Sequence, residues 1–356
     1  MRVLVLTPYL YGTAGGPRSS IELWERVLAP QGITFEYSPF ESKRLNEIIY
    51  QPGHTAEKVK EVLLGCGRRL AEVRRVSDFD AVLVYREASL IGPALVERLV
   101  ARRRPIIYQL DDPLYVPYRA PANGYLSYLK VFGKVGSIAR CSRVVVVNSC
   151  QHRDYAERFA SDVRTVPSLV DADVYTYREK PRNRGPVTIG WSGSASTAVN
   201  LRVIEPVLKV LGEREDVRLH FIGAKDFDLP DVRYTAQPWS AETEVEDLRR
   251  FDVGLLPLPV DEWTKRKFYL KLIQYMALGI PAVCTPLGAN PVVIEPGVTG
   301  FLADTSQEWL GALERLVADD DLRQAMGRRA ASVAGERYTV QANAGAITEA
   351  FRALVA

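Results

Sequence analysis

The stretch 267–290, KFYLKLIQYMALGIPAVCTPLGAN, decides how the chain is read, because it joins an apolar helix pattern to a β-branched run and then to a glycine turn. Helical spacing predicts that Lys267 and Lys271 share one face, with Gln274 and Tyr275 a turn further on. Two like charges four residues apart repel each other, so an anionic partner is the natural compensation, although a solvated face also carries lysines. The run PAVCT reads as a strand and TPLGANP as the turn after it, with Asn290 as N-cap and Pro291 at the first helical position. Backbone N–H groups from Leu287 through Gly288 and Ala289 to Asn290 would then be free to face an anion. Lysines and amides together suit a diphosphate.

Outward from this stretch, short β-branched runs alternate with amphipathic segments along the whole chain. RVLVLTP, ITFEYSPF, AVLVYR, PIIYQLDD and VVVVNS read as strands of one parallel sheet, with VRTVPSLV as a sixth ending at Val170. Residues 171–186, DADVYTYREKPRNRGP, are polar and aperiodic and read as a linker. VTIGWSG, VRLHFIG, DVGLLPLP and PAVCTP then start the pattern again, with TKRKFYLKLIQYMAL among the helices between them. The expected fold class is α/β, two doubly wound Rossmann-like domains facing a central cleft at the carboxyl ends of their strands. The expected boundaries are 1–170 for the first domain, joined by a C-terminal helix 340–356, and 187–339 for the second.

A chain of 356 residues is long for one core. Its 47% hydrophobic and 25% charged residues exclude a disordered chain and a membrane bundle. With no apolar run near the length of a membrane span, the expected location is cytoplasmic. Lys and Arg number 46 against 43 Asp and Glu, which gives no reason to expect nucleic acid. Arg68, Arg69, Arg74, Arg75, Arg98, Arg102, Arg103 and Arg104 fall in the first half, and such a patch leaves room for peripheral membrane contact. The four cysteines lack CxxC spacing and read as buried free thiols, and the three histidines lie far apart, so no metal site is expected.

The segment 251–303 resembles the donor-binding half of a family 4 glycosyltransferase of the GT-B fold, especially in Trp263, Lys267, Lys271 and QYMALGIP. LTPYLYGTAGGPRSSIELW, IIYQLDDP, VVVVNS, TIGWSGSAST and HFIGA extend the likeness more loosely over most of the chain. The resemblance implies retaining transfer of a sugar from a nucleotide diphosphate donor to an acceptor hydroxyl, with no cofactor and no metal. It implies that Lys267 and Lys271 neutralise the leaving diphosphate and that Leu287, Gly288, Ala289 and Asn290 line it. Gly15 and Gly16, with Gly12 and Arg18, match the family's N-terminal glycine loop; Ser192 and Gly193 line the opposite wall, and Gln237 to Trp239 meets the base. The family's paired glutamates fall here on Arg266 and Gln274, so neither carboxylate is present. Gln274 retains the capacity to bond ribose hydroxyls.

Asp111 and Asp112 end the strand IIYQL, where a carboxylate would orient an acceptor hydroxyl or balance charge on the transferring sugar. Tyr9, Tyr11, Tyr115, Tyr118 and Tyr125, in loops 9–18 and 113–125, are candidates to stack on an acceptor carbohydrate, lipid-linked sugar or natural product. A nicotinamide enzyme is disfavoured because no GxGxxG follows a strand. A nucleotide-sugar epimerase or phosphorylase of the same fold, or a non-catalytic sugar-nucleotide-binding subunit, are the alternatives.

Overall fold

The computed structural model describes residues 1–49, 51–117, 131–181, 185–225 and 227–355. The chain divides into two compact units: Met1–Ser168 with Arg266–Phe268 and Asn343–Ala356, and Leu169–Lys265 with Tyr269–Ala342. Tyr118 and Tyr125, and the segment 182–184 of the expected linker, lie outside the described residues.

The first unit is built on a six-stranded sheet of β1 (Arg2–Thr7), β2 (Thr34–Pro39), β3 (Ala81–Tyr85), β4 (Ile106–Leu110), β5 (Val144–Val147) and β6 (Val163–Thr165). The strands are all parallel, in the order β2-β1-β3-β4-β5-β6. β3, β4 and β5 are buried along their whole length, which is why they read as mainly apolar runs, broken only by Gln109, and not as alternation. The order reverses beside β1, and loops at the carboxyl ends of β1, β3 and β4 converge at such a switch point.

One side chain sets the height of those strand ends. Arg69, on the helix Thr55–Arg75, is fully buried. Its guanidinium donates to Thr7 O and Ser38 O at 2.8 Å each and to Ala88 O at 2.5 Å. Burial pulls its pKa down to about 10. Arg69 is therefore removed from the expected basic surface patch, because it is an internal clamp.

The C-terminal helix runs Ala344–Arg352, shorter than the expected 340–356. Val340 is held outside it: its N–H donates to Val170 O at 3.0 Å, within the second unit. Phe351 is buried against Trp24 and Phe35, with ring centroids 6.4 and 5.5 Å apart, so this helix completes the core of the first unit.

The second unit repeats the architecture with β7 (Val187–Ser192), β8 (Val217–Ile222), β9 (Thr235–Gln237), β10 (Val253–Leu256), β11 (Ala282–Cys284) and β12 (Gly300–Leu302). The order is β12-β11-β10-β7-β8-β9, again parallel throughout. The edge strands β9 and β12 have three residues each, too short for a periodic signal, and escape the sequence pattern.

Two further expectations are corrected here. The helix expected over TKRKFYLKLIQYMAL is broken into a 3₁₀ turn, Thr264–Arg266, and a helix, Leu270–Ala277. Asp261 Oδ1 closes the turn by accepting from the N–H groups of Trp263 and Thr264 at 2.8 Å, and Tyr269 is extended. Lys267 thus precedes the helix and shares no face with Lys271. The segment expected as a linker is built into the second unit: Asp171 accepts from Gln341 at 2.8 Å, and Lys180 pairs with Asp252 at 3.0 Å. Among the cysteines only Cys284 is buried, whereas Cys66 and Cys141 are half-buried and Cys150 is exposed. No helix among the described residues is long and apolar enough to cross a membrane.

Candidate functional site

In the first unit the polar residues gather at the carboxyl ends of β1, β3 and β4. Arg86, just after β3, is the hub. Its Nε donates to Asp111 Oδ1 at 2.6 Å, its Nη1 to the Tyr9 hydroxyl at 2.8 Å, and its Nη2 lies 2.5 Å from Asp112 Oδ2. The Tyr85 hydroxyl donates to Asp111 Oδ2 at 2.5 Å, and Lys267 Nζ lies 3.2 Å from Asp112 Oδ1. Lys267 belongs to this unit together with Arg266 and Phe268. Two carboxylates and two cations therefore balance within one cluster.

The electrostatics follow from that balance. Burial opposes the charge of Asp112, but Arg86 and Lys267 outweigh it and hold the carboxyl below its ordinary range. Burial likewise works against Arg86, and the two aspartates more than restore its charge. Arg86 is reached by a strained backbone: its φ is +60°, and a Glu87 N–H to Tyr85 O bond of 2.7 Å closes the turn around it. Non-glycine residues in such turns are uncommon and concentrate where function over-determines them.

Gly16 owes its identity to the same cluster. A Cβ there would collide with the Tyr85 hydroxyl and sit 2.8 Å from Arg86 Nη2, so the missing side chain makes room for the protein's own groups. Gly15 has nothing within 4 Å of a Cβ position and stays open to an approaching molecule. Arg18 ends this short helix, Gly15–Arg18, and its charge acts on Glu22.

His152 was not singled out by its sequence context, yet it borders the cluster. It is fully buried, and its Nδ1 lies 2.8 Å from Asn148 Oδ1 and 2.9 Å from Ser149 Oγ. Asn148 in turn donates to Asp111 O at 3.0 Å. Burial drives the His152 pKa down to about 4, against the pull of Asp112 and Asp111, so the ring is neutral at pH 7. Among the candidate tyrosines, Tyr115 is stacked on Tyr155 at 3.8 Å, while Tyr11 is exposed.

The second unit carries a different arrangement, centred on Glu244. Its Oε1 accepts from Trp239 Nε1 at 2.9 Å and lies 3.0 Å from Lys271 Nζ; its Oε2 accepts from the Tyr175 hydroxyl at 2.9 Å. Gln274 Nε2 donates to that hydroxyl at 2.6 Å. Burial raises the Glu244 carboxyl, but Lys271, with the hydrogen bonds from Trp239 and Tyr175, brings it below its ordinary range. Glu244 and Tyr175 are new to the site. Neither stands in a local motif, since Glu244 lies 27 residues from Lys271 and 69 from Tyr175.

Two buried polar atoms here lack a hydrogen-bond partner: Gln274 Oε1 and Ser192 Oγ. Ser192 ends β7, and its N–H donates to the buried Tyr275 hydroxyl at 3.0 Å. Gly193 follows, where a Cβ would collide with the Trp191 ring. The turn after β11 departs from expectation. The N-cap is Ala289, while Asn290 is buried and donates from its side chain to Thr285 O at 2.9 Å. The N–H of Leu287 bonds Thr285 O at 2.8 Å and that of Asn290 bonds Leu287 O at 3.1 Å, so these two amides are spent within the turn. Gly288, at φ +59°, provides the left-handed corner. Among the described residues no group of three or more His, Cys, Asp or Glu side chains is arranged to hold a metal ion.

A family model described as "Glycosyl transferases group 1" matches residues 188–319, the stretch that holds Glu244, Lys271 and Gln274. A D-inositol 3-phosphate glycosyltransferase of Paenarthrobacter aurescens is 33% identical over 309 residues, 85% of this chain and 66% of the relative. Another, of Corynebacterium jeikeium, is 38% identical over 125 residues, 35% of this chain and 28% of the relative. The chain thus spans 28% to 66% of the length of these two curated relatives. Among solved structures, sucrose-phosphate synthase from Thermosynechococcus elongatus superposes with a TM-score of 0.71 at 14% identity, covering 100% of this chain and 99% of that one. Anabaena HepE in complex with UDP-glucose gives 0.68 at 17% identity, covering 99% and 100%. At such identities the structural likeness establishes the fold, and the sequence matches add the family. With its two parallel six-stranded sheets and its matched second unit, the chain belongs to the group 1 glycosyl transferases of the GT-B fold.

Proposed function

We propose that this chain is a retaining family 4 glycosyltransferase that moves a sugar from a nucleoside diphosphate sugar to an acceptor hydroxyl, in the cytoplasm and without a metal. The observation that carries this reading is the grouping of Lys271, Gln274 and Glu244 inside the matched stretch 188–319. A flexible ammonium suits a phosphate oxygen, and its attraction grows as the leaving diphosphate gains charge in the transition state. Gly288, Ala289, Trp239 and Ser192 complete the donor contacts in this proposal.

On the acceptor side the proposal assigns Asp112 the leading role. Both Asp111 oxygens are held by Arg86 and Tyr85, whereas Asp112 Oδ1 meets only the Lys267 ammonium among the contacts that define the cluster. A carboxylate held below its ordinary pKa is a weak proton acceptor, so Asp112 would orient the acceptor hydroxyl and offset positive charge on the sugar more than it removes a proton. The acceptor named for the relatives, inositol 3-phosphate, is the first to try. The test is product formation from UDP-, GDP- and ADP-sugars with inositol 3-phosphate and a panel of neutral sugars, with the anomeric configuration of the product read by NMR. Inverted product would end the retaining assignment; donor isomerisation without transfer would favour the epimerase.

A further inference from the structure

The second unit contains a hydrogen-bond chain whose direction is fixed at one end. Glu244 is buried, and Lys271 lies against Oε1. Ionised in that setting, the carboxylate only accepts hydrogen bonds. The Tyr175 hydroxyl, 2.9 Å from Oε2, must therefore spend its one proton on Glu244. It has only lone pairs left for Gln274, 2.6 Å away. The part of the Gln274 amide that faces Tyr175 is consequently its NH₂.

The other end of the amide is then determined as well. Gln274 Oε1 points away from Tyr175, in a residue only 3% exposed, and has no hydrogen-bond partner. A buried acceptor left unmet is costly, and turning the amide over would relieve it only by setting N–H against nothing and C=O against an oxygen that has no proton to give. The chain Glu244, Tyr175, Gln274 thus holds a bare carbonyl in place. One turn earlier on the same helix stands Lys271, paired with the same carboxylate.

We propose that Glu244 and Tyr175 are positioning residues that lock the Gln274 amide with its carbonyl toward the donor, so that this position reads a hydroxyl of the nucleoside diphosphate sugar. The inference rests on the donor reading above and adds to it two residues and a direction. The hydroxyl belongs either to the ribose or to the transferred sugar; the chemistry at Gln274 is the same. Glu244 in this way does for Gln274 by relay what a carboxylate at position 274 would do directly.

The experiment is calorimetry on the full chain with the tightest binder among UDP, GDP and ADP, with its 2′-deoxy and 3′-deoxy analogues, and with the matching sugar nucleotide and its deoxy-sugar analogues. Wild type should bind the parent compound at least about tenfold tighter than one deoxy analogue, the loss expected when a buried acceptor goes unmet. Which analogue fails identifies the hydroxyl. Tyr175→Phe and Glu244→Gln release the amide, and the ratio should fall to about threefold or less while the deoxy analogue binds much as before. Gln274→Glu accepts whichever way it turns, so in that background Tyr175→Phe should leave the ratio intact; melting curves verify that each variant folds. A ratio unchanged in Tyr175→Phe overturns the positioning role. Equal binding of every deoxy analogue by wild type overturns the carbonyl as a hydroxyl reader. If wild type binds no nucleoside diphosphate at all, the donor reading itself fails, a result distinct from either.

Discussion

The two units place ionic groups beside six-stranded parallel sheets of different strand order, and they surround those groups differently. In the first, Asp111 and Asp112 are answered from within by Arg86, Tyr85 and Lys267, and the charges cancel. In the second, Glu244 is satisfied too, yet Gln274 Oε1, on the residue tied to it through Tyr175, is left buried and unmet, as is Ser192 Oγ; the first unit's unmet atoms, His152 Nε2 and Gln109 Oε1 included, are not among the groups that bind its two aspartates. A closed cluster keeps its geometry without help and serves as a fixed electrostatic surface. An open one stores unmet hydrogen-bonding capacity that a bound molecule can satisfy. Under the proposed function, the contrast fits one half orienting the acceptor and the other recognising the nucleoside diphosphate sugar.

The contrast breaks most visibly at Arg86. Arg86→Ala would leave two buried carboxylates with Lys267 as their remaining cation in the cluster, and breaking such a pair costs about 3–5 kcal/mol. Urea unfolding should report that loss, and a loss below about 1 kcal/mol would mean that the two aspartates do not depend on Arg86 for their compensation. His152 tests the same cluster through pH. Its folded pKa of about 4 lies below the ordinary value of 6.5, so the unfolded chain binds the extra proton between these values. Stability from this group is therefore complete above pH 6.5 and is lost as pH falls toward 4, by about 3 kcal/mol in all. His152→Asn, which keeps a donor toward Asn148, should flatten that part of the profile; a profile identical to wild type would remove His152 from the account.

Activity measurements sharpen the comparison further. Asp112→Asn should lower turnover by about 100-fold, roughly 2.7 kcal/mol, with nucleotide affinity nearly unchanged. Asp111→Asn should act mainly on stability, because its oxygens are occupied by Arg86 and Tyr85. Wild-type turnover in Asp112→Asn would transfer the acceptor-side role to the donor phosphate. The smallest effect is expected from Lys271→Ala, with a loss toward the lower end of about 1.5–3 kcal/mol in nucleoside diphosphate binding, because Glu244 is freed to take other donors. Unchanged affinity by calorimetry would remove Lys271 from the phosphate site.

How much of the fold and the site is legible in the sequence depends on the range of each interaction. β3, β5, β10 and β11 announce themselves because strands covered on both faces are apolar without interruption, and β4 and β7 follow because their few polar residues are buried with the rest. Asp111 and Asp112 were legible by position alone, as the residues that follow a buried strand. For Lys267, local helical spacing predicts a continuous helix, whereas Asp261 and the contacts of Arg266–Phe268 with the first unit override it. Tyr175 was hidden in a polar stretch that looks like a linker. Glu244 gave no signal, since one acidic residue in a short helix looks like any solvated glutamate until the chain brings Lys271 and Tyr175 to it.

The docking of Phe351 on Trp24 has a consequence for how the molecule comes into being. The ribosome releases the first sheet early, but the helix that covers Trp24 and Phe35 is made only after the entire second unit. The unit begun first is thus finished last, and for most of its synthesis it presents an aromatic face that its own chain has yet to cover. A fragment ending at Ser168 should therefore aggregate or bind chaperone when expressed alone, and should be rescued by residues 343–355 supplied as a separate peptide. Equal solubility with and without that peptide would show that the early sheet stands unaided and that the late helix is trimming, not closure.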